Sequence, residues 1–239
     1  MKHPVVVSVS GFTSEVGKTT LMCDLLRAFP GWEAIKMTRG HYRSCGKNPE
    51  ACCVSHLLSD EPVIHSGRSL TYSPGKDTGR YWEAGAANVH WAIVTDQQVE
   101  SAVNEAVKRV KGPGVFVEGN SFLDFISVDF AIMVASPSSK KIKASAQRAI
   151  AHASALYLNN RDEEKDESDF AVWCESSGVN KLIAGLPIYR NSSLPELIAN
   201  VQTKESSRHA LATLSGDSPL KTLAPDSGNP HRKGPTLVG

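Results

Sequence analysis

Short apolar runs alternate with helix-length segments from the N-terminus to about Thr203. That rhythm predicts parallel strands joined by crossover helices. Strands are predicted over Pro4–Ser10, Glu33–Met37, Val89–Thr95, Gly114–Glu118, Asp129–Ala135, Ala155–Asn159 and Lys181–Ala184. Helices are predicted over Lys18–Phe29, Pro49–Leu58, Thr78–Ala87, Gln97–Lys111, Lys140–His152, Glu163–Ser177 and Leu194–Thr203. Val5-Val6-Val7 and Val115-Phe116-Val117 lack polar alternation, as expected of a parallel sheet covered on both faces. The fold class that follows is α/β, a doubly wound and mostly parallel sheet. Residues 39–75, a Cys- and His-rich segment with several Gly and Pro, break the rhythm, the mark of an insertion that is functional or disordered rather than core. From Lys204 the chain turns to Ser, Gly, Pro, Lys and His, so residues 1–203 read as a single domain and 204–239 as a mobile tail.

Composition narrows the function classes. Lys and Arg number 26 against 25 Asp and Glu, a net charge of +1 in 239 residues. A nucleic-acid surface normally shows a clear basic excess, so no nucleic-acid partner is expected and any anion chemistry must be local. No apolar run approaches the roughly 18 residues of a membrane span, and the N-terminus is too short before its first glycine for a secretory leader. A soluble cytoplasmic protein is the expectation. The five cysteines are an odd number, with Cys45, Cys52 and Cys53 close together, which suits thiols or a metal better than disulfides.

The candidate chemistry begins at Ser10-Gly11-Phe12-Thr13-Ser14-Glu15-Val16-Gly17-Lys18-Thr19-Thr20, between an apolar strand and an amphipathic helix. This is the setting of a phosphate-binding loop. Glycines let backbone N–H groups turn toward an anion, the helix N-terminus adds a positive dipole end, Lys18 reaches the outer phosphates, and Thr19 can ligate Mg²⁺. Residues Thr13 to Thr20 are therefore the candidate nucleotide-binding set. Five residues separate Gly11 from Gly17, one more than the common spacing, so that Phe12 stands where a first glycine would. A triphosphate needs Mg²⁺, which takes only one or two carboxylates besides phosphate oxygens and water. Glu118 ends an apolar strand and would emerge at the carboxyl edge, where open α/β sheets bind ligands. It is the second candidate metal ligand, after Thr19.

The loop's spacing and its Glu-Val-Gly-Lys-Thr ending resemble dethiobiotin synthetases. Farther along, Ala34-Ile35-Lys36-Met37-Thr38, then Pro74-Gly75-Lys76-Asp77-Thr78-Gly79-Arg80 leading to Glu83-Ala84-Gly85-Ala86, then Val115-Phe116-Val117-Glu118-Gly119 resemble the successive motifs of MobB. That family comprises GTP-binding P-loop proteins associated with molybdopterin-guanine dinucleotide biosynthesis. The match covers residues 4 to about 120. It implies GTP hydrolysis, with homodimers common among relatives; it also implies Asp77 near Mg²⁺ and Lys36 facing phosphate or substrate. The bland alternatives are a helix N-cap for Asp77 and a surface strand-end lysine for Lys36. Lys18, Lys36, Asp77 and Glu118 form the candidate catalytic set, and Arg80 either contacts phosphate or pairs with Glu83.

Two segments leave alternatives open. Asn159-Asn160-Arg161-Asp162 follows a strand and matches the outer residues of the guanine-selecting Asn-Lys-x-Asp motif without its lysine. Asn159 and Asp162 are the candidate base contacts; GTP is favoured through the MobB resemblance, with ATP the alternative. Residues 41–56 offer His41, Cys45, Cys52, Cys53 and His56, and Cys52 with His56 would share one face of a helix. Cys45, Cys52 and His56 could hold Zn²⁺, or the cysteines could pack as small apolar groups. Rival functions are a small-molecule kinase or ligase with an unidentified acceptor, and a nucleotide-binding adaptor or metallochaperone.

Overall fold

The computed structural model describes residues 3–40, 54–136, 142–159 and 166–214. Among them an eight-stranded sheet runs in the order β3-β4-β2-β5-β1-β6-β7-β8. The strands are β1 (Val5–Gly11), β2 (Glu33–Arg39), β3 (Val63–Ser66), β4 (Val89–Val94), β5 (Gly114–Glu118), β6 (Phe130–Ala135), β7 (Ala155–Leu158) and β8 (Ile188–Tyr189). All pairings are parallel except β3 with β4. The helices are α1 (Lys18–Ala28), α2 (Arg68–Thr71), α3 (Asp77–Glu83), α4 (Val99–Lys108), α5 (Ala144–Ala149), α6 (Asp166–Ser177), α7 (Asn180–Ile183) and α8 (Leu194–Leu214). None of the described helices is long and apolar enough to cross a membrane.

The unbroken apolar strands do what their pattern requires. Val5, Val7 and Val9 of β1 and Phe116 of β5 enter one core with Leu21, Leu25 and Leu26 of α1. Val6, Val115 and Val117 enter the other, with Val99, Ala102 and Val103 of α4. Successive side chains thus serve opposite faces, each covered by helices. β1 lies at the centre with β5 on one side and β6 on the other. Such a switch in strand order opens a crevice at the carboxyl edge, and the loop from β1 to α1 lies there.

Besides the short α2, which no pattern announced, four elements differ from the pattern reading. Lys181–Ala184 is not a strand: Asn180–Ile183 forms one helical turn, with Leu182 47% exposed, and the edge strand is β8. A short apolar run has no periodicity to separate the two conformations, and Gly185 at φ 81° reverses the chain just after it. Inside the insertion, β3 adds an antiparallel edge against Ile93–His90 of β4. The proposed helix over Pro49–Leu58 is described only from Val54, and there it is a 3₁₀ turn at Ser55–Leu57. Finally, α8 continues to Leu214 where composition had suggested a tail from Lys204. Val201 of that helix is fully buried, while Trp32 Nε1 donates to Glu205 and Arg208 pairs with Asp129, so tertiary contacts carry a weakly patterned helix past Thr203.

Candidate functional site

Gly17 opens α1 in the left-handed region, at φ 95°. A Cβ there would also lie 2.0 Å from Asn159 Nδ2, so the position requires glycine on both counts. Phe12 explains the loop's extra residue. Its N–H donates to the Val134 carbonyl at 3.1 Å, and its buried ring meets Trp173 edge-on at 5.1 Å. The side chain has left the loop for the core. Thr13, Ser14 and Glu15 remain on the rim, with Glu15 at φ 61°. Val16 is buried as well, and its carbonyl accepts from Asn159 Nδ2 at 2.9 Å.

The loop borders a cavity of about 990 Å³. Gly11, Thr13, Ser14, Glu15, Gly17, Lys18, Thr19 and Thr20 line one side. Lys36, Met37, Thr38 and Arg39 from the end of β2, Asp77 and Arg80 from α3, and Glu118 to Ser121 from the end of β5 line another. Lys143, Ala144 and Ser145 close it from the start of α5. The volume and its convergent polar groups suit a nucleotide-sized ligand.

Within the cavity, β2 and β5 are paired so that Lys36 stands opposite Glu118. Lys36 Nζ lies 2.5 Å from Glu118 Oε1 and donates to Asp77 Oδ2 at 2.7 Å. Thr19 Oγ1 lies 2.9 Å from Asp77 Oδ1 and 3.3 Å from Glu118 Oε2. The buried Tyr81 hydroxyl donates to the same Glu118 oxygen. Four candidates from four separate segments thus converge on one point. Burial alone would lower the proton affinity of Lys36, but Glu118 and Asp77 outweigh it and hold the ammonium more firmly protonated than usual. Burial would likewise raise Asp77; Lys36 and the Thr19 hydroxyl overcome that and keep its carboxyl low. Tyr81 is pushed well above the ordinary phenol range by burial and by the Glu118 charge, so it stays a donor.

The donor set fits a hard divalent cation. Two carboxylates and a hydroxyl meet where an ammonium already stands between the carboxylates, in the role of the positive charge.

Lys18 is different. Its Nζ donates to the Thr13 carbonyl at 3.0 Å, and its proton affinity is lowered first by burial and further by the Lys36 and Lys143 charges, with Glu118 opposing. Arg80 Nη2 reaches Thr20 Oγ1 at 3.4 Å.

Other candidate residues lie elsewhere. The Asn159 amide is engaged with the back of the loop, outside the cavity lining, and Asp162 falls outside the described residues. Cys45 and Cys52 of the zinc set also fall outside them, while His56 is exposed in its 3₁₀ turn. No group of three or more His, Cys, Asp or Glu placed to hold a metal occurs among the described residues.

Three contributors escaped the pattern reading. Tyr81 is an aromatic that the sequence offers only as something to bury, and burial alone does not reveal its hydroxyl's partner. Asn120 follows the Val-Glu-Gly motif, and its carboxamide pairs with both backbone groups of Gly11, at 2.9 and 2.8 Å. It thereby ties the β5 loop to the phosphate loop. Lys143 belongs to a Lys-Lys-Ile-Lys run in which nothing marks one lysine over another.

No protein-family model matches the chain, and no curated protein matches its sequence. Among solved structures it is similar to HypB from Helicobacter pylori in complex with nickel, at 13% identity and TM-score 0.51, covering 86% of this chain and 89% of that one. LpxK from Aquifex aeolicus in complex with ATP aligns at 16% identity and TM-score 0.44, covering 80% of this chain and 54% of that one. The MinC:MinD cell division protein complex from the same organism aligns at 15% and 0.38, covering 92% and 100%. The HypB likeness supports the α/β P-loop fold.

Proposed function

We propose that this chain binds a nucleoside triphosphate with Mg²⁺, GTP in preference to ATP, and hydrolyses it, in the manner of the MobB-like proteins its motifs resemble and in the service of cofactor biosynthesis. The single observation that carries the reading is the convergence of Thr19, Lys36, Asp77 and Glu118 beside Lys18 and the phosphate loop. In this reading the loop amides and Lys18 cradle the phosphates, and Thr19, Asp77 and Glu118 hold the cation. A Mg²⁺ ion held by these three residues would supply positive charge against the phosphates. Tyr81 orients Glu118 from behind, and such outer partners matter nearly as much as the ligands. Lys36 would be free to lay its charge on phosphate if Asp77 and Glu118 were engaged by a cation instead. Phosphoryl transfer relies on positioning and charge neutralisation, so the reading requires no strong nucleophile.

A second reading follows from the far wall of the cavity. Met37, Thr38, Arg39 and Ser121 line it beyond the phosphate loop, and they would face an acceptor. Product analysis separates the two. Incubation with Mg²⁺ and GTP or ATP alone should release inorganic phosphate, faster with GTP. Release only when an acceptor is added would replace hydrolysis with phosphotransfer, and no turnover under any of these conditions would leave a binding protein.

A further inference from the structure

The cavity contains three ammonium groups with unequal surroundings. Lys36 is held by two carboxylates. Lys18 and Lys143 rest instead on consecutive residues of the loop rim: Lys18 Nζ on the Thr13 carbonyl at 3.0 Å, Lys143 Nζ on Ser14 Oγ at 2.7 Å. Neither has an ion-pair partner among the described residues. Their like charges are felt by one another, since Lys143 contributes to the lowered proton affinity of Lys18. An anion placed between two such cations would be attracted by both.

Lys143 is also fixed in place. Its backbone N–H donates to the Phe12 carbonyl at 3.0 Å, so the start of α5 is tied to the loop whose rim the side chain touches. That side chain is exposed, and a hydrogen bond from an exposed ammonium to an exposed hydroxyl contributes about 1 kcal/mol or less. An arriving phosphate can displace it. In the nucleotide reading, inner phosphates would sit over the helix N-terminus at Gly17–Thr20 with Lys18 reaching the outer ones, and Lys143 shares the Thr13–Ser14 side with Lys18.

We propose that Lys143 contacts the terminal phosphate and makes the site prefer nucleoside triphosphate to diphosphate. The proposal rests on the nucleotide reading above and adds a residue to it.

Titration calorimetry in Mg²⁺ buffer tests it, using non-hydrolysable GTP and ATP analogues and the corresponding diphosphates. Charge-assisted hydrogen bonds of this kind predict that Lys143→Ala weakens triphosphate binding roughly ten- to a hundredfold while diphosphate binding changes by less than about twofold. Lys143→Arg should recover much of the loss. Equal weakening of both nucleotides, or none, would overturn the role of Lys143. If the wild-type chain binds neither nucleotide, the underlying reading fails with it. Thermal melting of Lys143→Ala, expected to match wild type within about 2 °C for an exposed side chain, separates lost contact from lost fold.

Discussion

Strands β2 and β5 lie side by side and carry two buried glutamates at opposite ends of the sheet. Glu33 opens β2 and Glu118 closes β5. The two are almost equally hidden, at 3% and 2% exposure, yet their partners differ in kind. Glu33 Oε1 accepts from the backbone N–H groups of Lys111 and Gly112, both at 2.7 Å, and Oε2 lies 2.8 Å from His90 Nε2. His90 Nδ1 in turn lies 2.8 Å from Ser66 Oγ, so one closed network pins β2, β4 and the end of β3. Glu118 meets a lysine on a flexible stem, a threonine hydroxyl and a tyrosine hydroxyl, all at the edge of a 990 Å³ cavity. Rigid partners on every side mark a carboxylate that holds the fold. A side-chain ammonium beside open volume is what the proposed nucleotide reading expects around a carboxylate kept for exchange.

If that distinction is correct, damage at the two ends should fall on different properties. The largest effect is expected from Glu33→Ala, which strands two backbone amides and a buried imidazole and should cost roughly 3–5 kcal/mol in denaturant unfolding. Nucleotide binding by the folded fraction should stay within about twofold of wild type. The same residue predicts an acid limb. Burial alone would raise its carboxyl, but His90 and the two amides prevail and hold it below the ordinary range. A group depressed in the folded state stabilises fully above the ordinary glutamate range and loses that contribution as pH falls through its folded value. Stability should therefore fall on acidification in wild type and fall less steeply in Glu33→Gln.

A smaller and more telling effect is expected at the other end. Lys36→Met removes the charge between Asp77 and Glu118 and should lower metal-free stability by about 3 kcal/mol, or roughly 6–12 °C in melting temperature. Millimolar Mg²⁺ should restore much of that loss in the variant while barely moving the wild-type midpoint in the absence of nucleotide. Melting curves that ignore Mg²⁺ in both proteins would remove the idea that the ammonium stands in for a divalent cation.

How much of this could be read in advance depends on how local each feature is. Strands β1, β4, β5, β6 and β7 were legible because covered parallel strands are continuous apolar runs. The phosphate loop was legible because its residues are consecutive. Glu118 and Lys36 could each be placed at a strand end, and Asp77 entered only through a family resemblance, but their mutual contacts depend on register between segments 41 and 82 residues apart. The β8 edge was missed because Ile188–Tyr189 is too short to have a period, and its apolar neighbour at 181–184 competed for the same reading. Tyr81 and Asn120 escaped for another reason. Each acts through one polar atom whose partner lies on a different element, and no spacing rule encodes that.

The central claim is that a triphosphate lies across the loop between β1 and α1, with Lys18 on its outer phosphates. Calorimetric titration of the full chain with a non-hydrolysable GTP analogue in Mg²⁺ buffer, beside Lys18→Ala, tests it most directly. The account predicts saturable one-to-one binding by wild type and a loss of at least about a hundredfold in the variant, with the melting temperature little changed. Absence of binding heat with both GTP and ATP analogues, or equal affinity in the two proteins, would contradict it.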